Sequence, residues 1–90
     1  MTKAELINEI AISTGFDKKT IGVVVEEMMK TVKTTMVNGE NVYLRGFGSF
    51  IIKTRKAKVA RNISKNTTVR VPEHKIAAFK AADEFAEQIR

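Results

Sequence analysis

Five cations fall within nine positions of this chain: Lys53, Arg55, Lys56, Lys58 and Arg61. Guanidinium and ammonium groups at that density neutralise and hydrogen-bond oxyanions. The surrounding stretch, residues 41 to 72, holds eight of the 16 Lys and Arg and neither Asp nor Glu. The other 58 residues hold eight basic and ten acidic side chains, so the net +6 is a stretch of +8 on a body of −2. Charge segregated in this way fits a nucleic acid or an anionic surface as partner. The bland alternative is an edge strand kept from aggregating by Lys. Eight charges of one sign exceed what edge protection needs.

Other chemistry finds little support. His74 is the only His and there is no Cys, so no metal cluster and no nucleophile–base–orienter set can be assembled within one chain. The acids Glu26-Glu27 and Asp83-Glu84 are adjacent, hence on different helix azimuths, as solvated faces are. The expectation is a protein that is not an enzyme, with no catalytic residues, no metal and no cofactor. Gly46-Phe47-Gly48-Ser49-Phe50 lacks the third Gly of a phosphate loop and no helix follows it; Phe47 and Phe50 read as core aromatics. The N-terminal run MTKAELINEI is amphipathic and no long apolar run is present, so the expectation is a cytoplasmic protein without a membrane span.

These cations need elements to carry them. Ser49 to Ala60 and Thr67 to Val71 are β-rich runs flanking the polar segment Arg61 to Asn66, the pattern of a β-hairpin. Alternation along a pleated strand puts the cations on both of its faces. A ribbon charged on both sides projects as an arm instead of lying on its own core. Upstream, Thr2 with Glu5 makes a capping box, and Leu6, Ile7, Ile10 and Ala11 recur at helical spacing until Gly15. Asp17 caps a second, longer helix that stops at Asn38-Gly39, with Ile21, Val23, Val24, Val25, Met28, Met29, Val32, Met36 and Val37 spread over more than one stripe. Two helices and a turn could suggest a DNA-reading helix-turn-helix, but the second helix is long, apolar and poor in base-reading residues. Residues 41 to 45 read as a short strand, with Val42 and Leu44 alternating with Tyr43 and Arg45. Pro72 ends the ladder, Lys75 to Phe79 reads as helix or extended chain, and residues 81 to 89 read as helix, with Ala82, Phe85, Ala86 and Ile89 on one side. Ninety residues, 43% of them hydrophobic, make a single folded domain near the size at which one core is marginal.

In this order the GFGSF turn, Arg61-Asn62 at the arm tip, and Pro72 through Phe79-Lys80-Ala81 resemble the bacterial histone-like HU and integration host factor family of DNA-bending proteins, over the whole chain. The resemblance implies an α+β intertwined dimer: a base of two N-terminal helices (1–39, the dimerisation part), a three-stranded antiparallel sheet (40–80) with a long β-ribbon arm at about 53–72, and a short C-terminal helix (81–90). It implies that Lys75 to Phe79 is extended, and that Val25, Met28, Met29, Val32, Met36, Leu44, Phe47, Phe50 and Phe79 form the dimer core. A chain that spends a long segment on an arm has little left for a private core, which makes oligomerisation plausible independently.

For function, the resemblance implies largely sequence-independent binding and bending of double-stranded DNA through the minor groove, in nucleoid organisation and as an architectural cofactor. Lys53, Arg55, Lys58 and Arg61 match basic family positions. Lys56, Lys65 and Arg70 lie on the same ribbon, and Lys3, Lys18 and Lys80 match basic positions on the body. Arg45, Gly46, Gly48 and Lys75 complete the expected DNA-binding set. Asn62 matches the tip asparagine. The family's intercalating Pro is replaced by Ile63, an apolar wedge of the kind other minor-groove benders use; the alternative is that Ile63 packs only on its neighbouring strand. Gly is usual near the tip where Ala60 and Asn66 stand here. Asp83, Glu84 and Glu87 make the last helix acidic where relatives are often basic, which implies less extensive wrapping. Kinked or flexible DNA should be preferred. The rival readings are a more site-selective bender like integration host factor, an RNA or single-strand binder, which the arm's want of stacking aromatics disfavours, and a module for an acidic protein partner. Homodimer and heterodimer with a paralogue read alike.

Overall fold

A computed structural model describes the backbone of residues 1–62 and 67–90, and the side chains outside 60–69. The elements in chain order are α1 (Lys3–Thr14), α2 (Lys18–Val37), β1 (Val42–Leu44), β2 (Gly48–Arg55), β3 (Lys58–Asn62), β4 (Thr67–Val71), β5 (His74–Ala81) and α3 (Asp83–Ile89). They fall into two compact units, Met1–Thr34 and Thr35–Arg90.

In the first unit, Thr2 Oγ1 accepts from the Glu5 main-chain N–H at 3.2 Å and satisfies one orphan donor of α1. Gly15, at φ 77°, closes the helix by donating to the Ala11 carbonyl at 2.8 Å. The Asp17 carboxylate caps α2 by accepting from the Thr20 N–H at 3.1 Å. Lys3 and Glu26 form an ion pair. Ile21 is buried, at 6% exposure, and is the only buried hydrophobic side chain among the described residues. Of the expected α1 stripe, Ile7, Ile10 and Ala11 are half-buried and Leu6 is exposed.

The second unit begins where α2 ends. Gly39 (φ 91°) donates to the Met36 carbonyl at 2.9 Å, and Glu40 donates to the Thr35 carbonyl at 3.1 Å. Together these are the paired bonds of a Schellman stop. The antiparallel sheet has order β1-β2-β5, and β3 pairs with β4 as a separate two-stranded ribbon. The sheet ladder ends at Arg55↔His74, and the ribbon ladder begins at Lys58↔Val71.

Two sequence expectations change here. The run from Ser49 to Ala60 is not one strand, because it breaks at Lys56-Ala57 opposite Pro72-Glu73. Pro72 has no N–H to donate, so the ladder cannot run through it. The five cations are therefore divided: Lys53 and Arg55 share one face of β2, Lys56 falls in the break, and Lys58 and Arg61 belong to β3. The C-terminal helix also starts late, at Asp83, because Ala81 still pairs with Gly48. Its first-turn acids, Asp83 and Glu84, sit where the helix dipole favours negative charge.

Register sorts the side chains. Val42, Leu44, Phe50, Ile52, Ala77 and Phe79 lie on one face of the sheet, and Tyr43, Ser49, Ile51, Lys53, Arg55, Ile76 and Lys80 on the other. On the first face the Phe79 ring stands 5.1 Å from Phe47, 5.2 Å from Phe50 and 6.5 Å from Phe85, centre to centre. Phe85, absent from the expected dimer core although its helical stripe was visible, completes this cluster by stacking on Phe47 at 5.6 Å. Gly48 lies beneath it, with room for nothing larger. A Cβ there would stand 2.4 Å from Phe79 Cζ and 2.6 Å from the Lys80 carbonyl oxygen. Gly46 takes φ 81° in the turn, and Phe47 donates to the Leu44 carbonyl at 3.0 Å.

Candidate nucleic-acid interface

The second sheet face carries the candidate site. Its rows across the strands are Tyr43–Ser49–Lys80, Ile51–Ala78, Lys53–Ile76 and Arg55–His74. Lys53 and Arg55 are two residues apart on a strand, hence about 6–7 Å, inside the screening length of about 8 Å at physiological salt. Their fields add. Below them a cleft lined by Arg55, Lys56, Lys58, Val71, His74 and Ile76 marks the root of the ribbon. His74 Nδ1 lies 3.0 Å from the Pro72 carbonyl oxygen, which holds the ring at that root.

Lys53, Arg55, Lys56, Lys58, Arg70, Lys75 and Lys80 are all exposed. The ion pairs among the described residues are Lys3–Glu26 and Arg90–Glu87, so none of these seven cations is paired with a described acid. A run of uncompensated like charges opposes its own compaction and is relieved by a polyanion.

The structure does not gather every expected site residue. Lys75 stands on the ring-bearing face, paired with Thr54. Lys3 is engaged by Glu26, and Lys18 lines a shallow depression with Glu5, Asn8 and Glu9 in the first unit. Arg45 and Gly46 form the exposed β1–β2 turn, whereas Gly48 is buried. Arg61 and Asn62 have described backbone only, in register with Thr68 and Thr67. Ile63 and Lys65 lie outside the described residues. Tyr43, Ser49 and His74 join the basic face without having been singled out from sequence. The strand alternation that exposes Tyr43 is visible in residues 42 to 44, but its neighbours come only with the register.

Of the expected dimer core, Val25, Val32, Met36, Leu44 and Phe50 are half-buried. Met28, Met29, Phe47 and Phe79 remain between 40% and 46% exposed. Among the described residues no three His, Asp or Glu side chains are grouped to hold a metal ion, and no helix is long and apolar enough to cross a membrane.

A helical segment, a three-stranded sheet and a basic ribbon define a class, and comparison with known proteins gives the same one. The family model described as bacterial DNA-binding protein matches residues 1–90, and the chain belongs to that family, which includes HU and integration host factor and is not one of enzymes. A DNA-binding protein HU from Staphylococcus aureus is 31% identical over 90 residues, covering 100% of both chains. An integration host factor subunit alpha from an Anaeromyxobacter species is 32% identical over 80 residues, 89% of this chain and 81% of that one. Among solved structures, the chain of an Anabaena HU–DNA cocrystal superposes with a TM-score of 0.91 at 32% identity, covering 99% of this chain and 97% of that one. HU from Thermotoga maritima, 23% identical with a TM-score of 0.71, shares the fold.

Proposed function

We propose that two copies of this chain, or one copy and a paralogue, form a dimer that binds and bends double-stranded DNA through the minor groove. The observation that carries this reading is the set of unpaired cations running from the outer sheet face (Lys53, Arg55, Lys80) through the root (Lys56) onto the ribbon (Lys58, Arg70). Phosphates supply the missing negative charge, and the released counterions drive association. The family resemblance adds Arg61, Asn62 and Lys65 to the DNA contacts, and makes Ile63 the wedge that unstacks a base step. The Anabaena HU structure, a cocrystal with DNA, supports the assignment.

Dimerisation rests on burial. A folded chain that buries one hydrophobic side chain among its described residues leaves its ring cluster and the apolar side of α2 unfinished. A second subunit is the cover the family resemblance supplies. Minor-groove contacts distinguish mainly A·T from G·C, so sequence preference is weak and flexible or kinked duplexes are favoured. The acidic α3 repels DNA at the flanks and shortens the wrap. The cellular role that follows is nucleoid organisation in the bacterial cytoplasm.

The test is energy transfer across an end-labelled duplex of about 30 base pairs, on the scale of bent sites, titrated at several salt concentrations. With on the order of ten phosphates neutralised per dimer, log K falls with log salt at a slope near −9. Rising transfer with that steep dependence supports bending. Binding without added transfer refutes the wedge, and tighter binding to RNA or to an acidic protein would replace the reading.

A further inference from the structure

The geometry points to Tyr43 as a DNA-contacting residue whose phenol donates a hydrogen bond to a backbone phosphate, held ready for it by Asn41; the inference rests on the DNA-binding reading above. Tyr43 is 71% exposed on the edge strand β1, on the face that carries Lys53, Arg55 and Lys80. An exposed tyrosine on a strand is ordinarily filler chosen for β propensity. Here its hydroxyl is fixed.

The Asn41 side chain makes two bonds. Its Oδ1 accepts from the Ile52 main-chain N–H at 3.0 Å, just beyond the end of the β1–β2 ladder. A main-chain N–H can only donate, so the amide oxygen must face Ile52 and the NH2 must face away. That NH2 lies 3.1 Å from Tyr43 Oη. Since an amide NH2 only donates, the phenol oxygen accepts, and its own proton is left for an outside acceptor. No acceptor among the described residues takes it.

Position identifies the acceptor. Tyr43 is in register with Ser49, and Ser49 with Lys80. With strands about 4.8 Å apart, the row of phenol, hydroxyl and ammonium spans about 10 Å across the sheet. Hydroxyls of Tyr and Ser beside a cation are the side chains that position a DNA backbone by its phosphates, without reading sequence. The row lies at the end of the face remote from the ribbon, so it would receive the duplex after it leaves the arms.

The experiment is fluorescence anisotropy of wild-type protein, Tyr43→Phe, Asn41→Ala and the double variant on A·T-rich and G·C-rich duplexes over a salt series, with thermal melts to establish folding. Tyr43→Phe removes one exposed oxygen and leaves the ring. Binding should weaken by roughly tenfold or more, the value of a hydrogen bond to a charged acceptor. The loss should be equal on both duplexes, with the salt slope unchanged because no charge is removed. Asn41→Ala should weaken binding in the wild-type background and add nothing to Tyr43→Phe. Wild-type affinity for Tyr43→Phe overturns the inference, as does a loss confined to one duplex, which would make the contact a base contact. Fully additive losses overturn the role of Asn41. Failure of the unaltered protein to bind either duplex would refute the DNA-binding reading itself, and the inference with it.

Discussion

Lys53→Gln and Lys75→Gln, compared side by side, test the assignment of the binding face. Both residues are exposed, both belong to the β2–β5 ladder, and they are offset by one pair in register. They differ in the face they occupy: Lys53 lies with Arg55 and Lys80, Lys75 with Phe50 and Phe79. Surface substitutions of this kind change stability by only about 0.5 kcal/mol, so differences in binding report contact with DNA.

The magnitude follows from the charge removed. Lys53→Gln leaves one phosphate without its cation in each half of the dimer, and the slope of log K against log salt becomes shallower by about 1.8. At about 0.1 M salt, one decade below the 1 M reference where this contribution vanishes, binding weakens by about 60-fold, or about 2.4 kcal/mol. Lys75→Gln should leave the slope near its wild-type value. Anisotropy titrations of a labelled duplex at three or more salt concentrations measure both. Equal shifts for the two variants would show that the sheet faces do not sort the contacts. An unchanged slope for Lys53→Gln would remove DNA from this face altogether.

Three further outcomes are expected. Gly48→Ala places a methyl group 2.4 Å from Phe79 Cζ and 2.6 Å from the Lys80 carbonyl oxygen, and should destabilise by about 1–3 kcal/mol, lowering the calorimetric Tm by on the order of 5–20 °C; an unaltered melt would mean the strands are not so closely apposed. Phe79→Ala removes the ring shared by Phe47, Phe50 and Phe85 at a cost of about 3–5 kcal/mol. Sedimentation should then show monomer where the wild type shows dimer, and a wild-type Tm independent of protein concentration would contradict dimerisation. Ile63→Ala should keep most of the affinity and reduce the energy transfer that reports bending, and an undiminished bend would sink the wedge.

Elements with local causes were legible in the sequence. Thr2, Gly15, Asp17 and Gly39 announce helix ends because each cap is closed within a few residues. Pro72 announces the end of β4 for the same reason. What could not be read depends on partners far along the chain. The break at Lys56-Ala57 has no signal of its own, since its cause stands opposite, at Pro72. Glu26 lies 23 positions from Lys3, so no spacing rule brings them together. The two-residue period within β2 is enough to align Lys53 with Arg55. Only the register shows that Lys80 joins them and Lys75 does not.

On the proposed reading, that register ties assembly to binding. Along β2, Phe50 and Ile52 face the ring cluster while Ser49, Ile51, Lys53 and Arg55 face outward. Because side chains alternate, a slip of one residue would turn Lys53 and Arg55 toward the rings and Phe50 toward solvent. The glycine turn prevents it. Gly46 supplies the positive φ that reverses the chain, and Gly48 is the residue in β2 that can lie under Phe79. The glycines in this segment therefore act through the backbone. They pin a strand whose two faces carry rings on one side and cations on the other, and on the proposed reading a change that loosens the pin should reduce dimerisation and DNA affinity together.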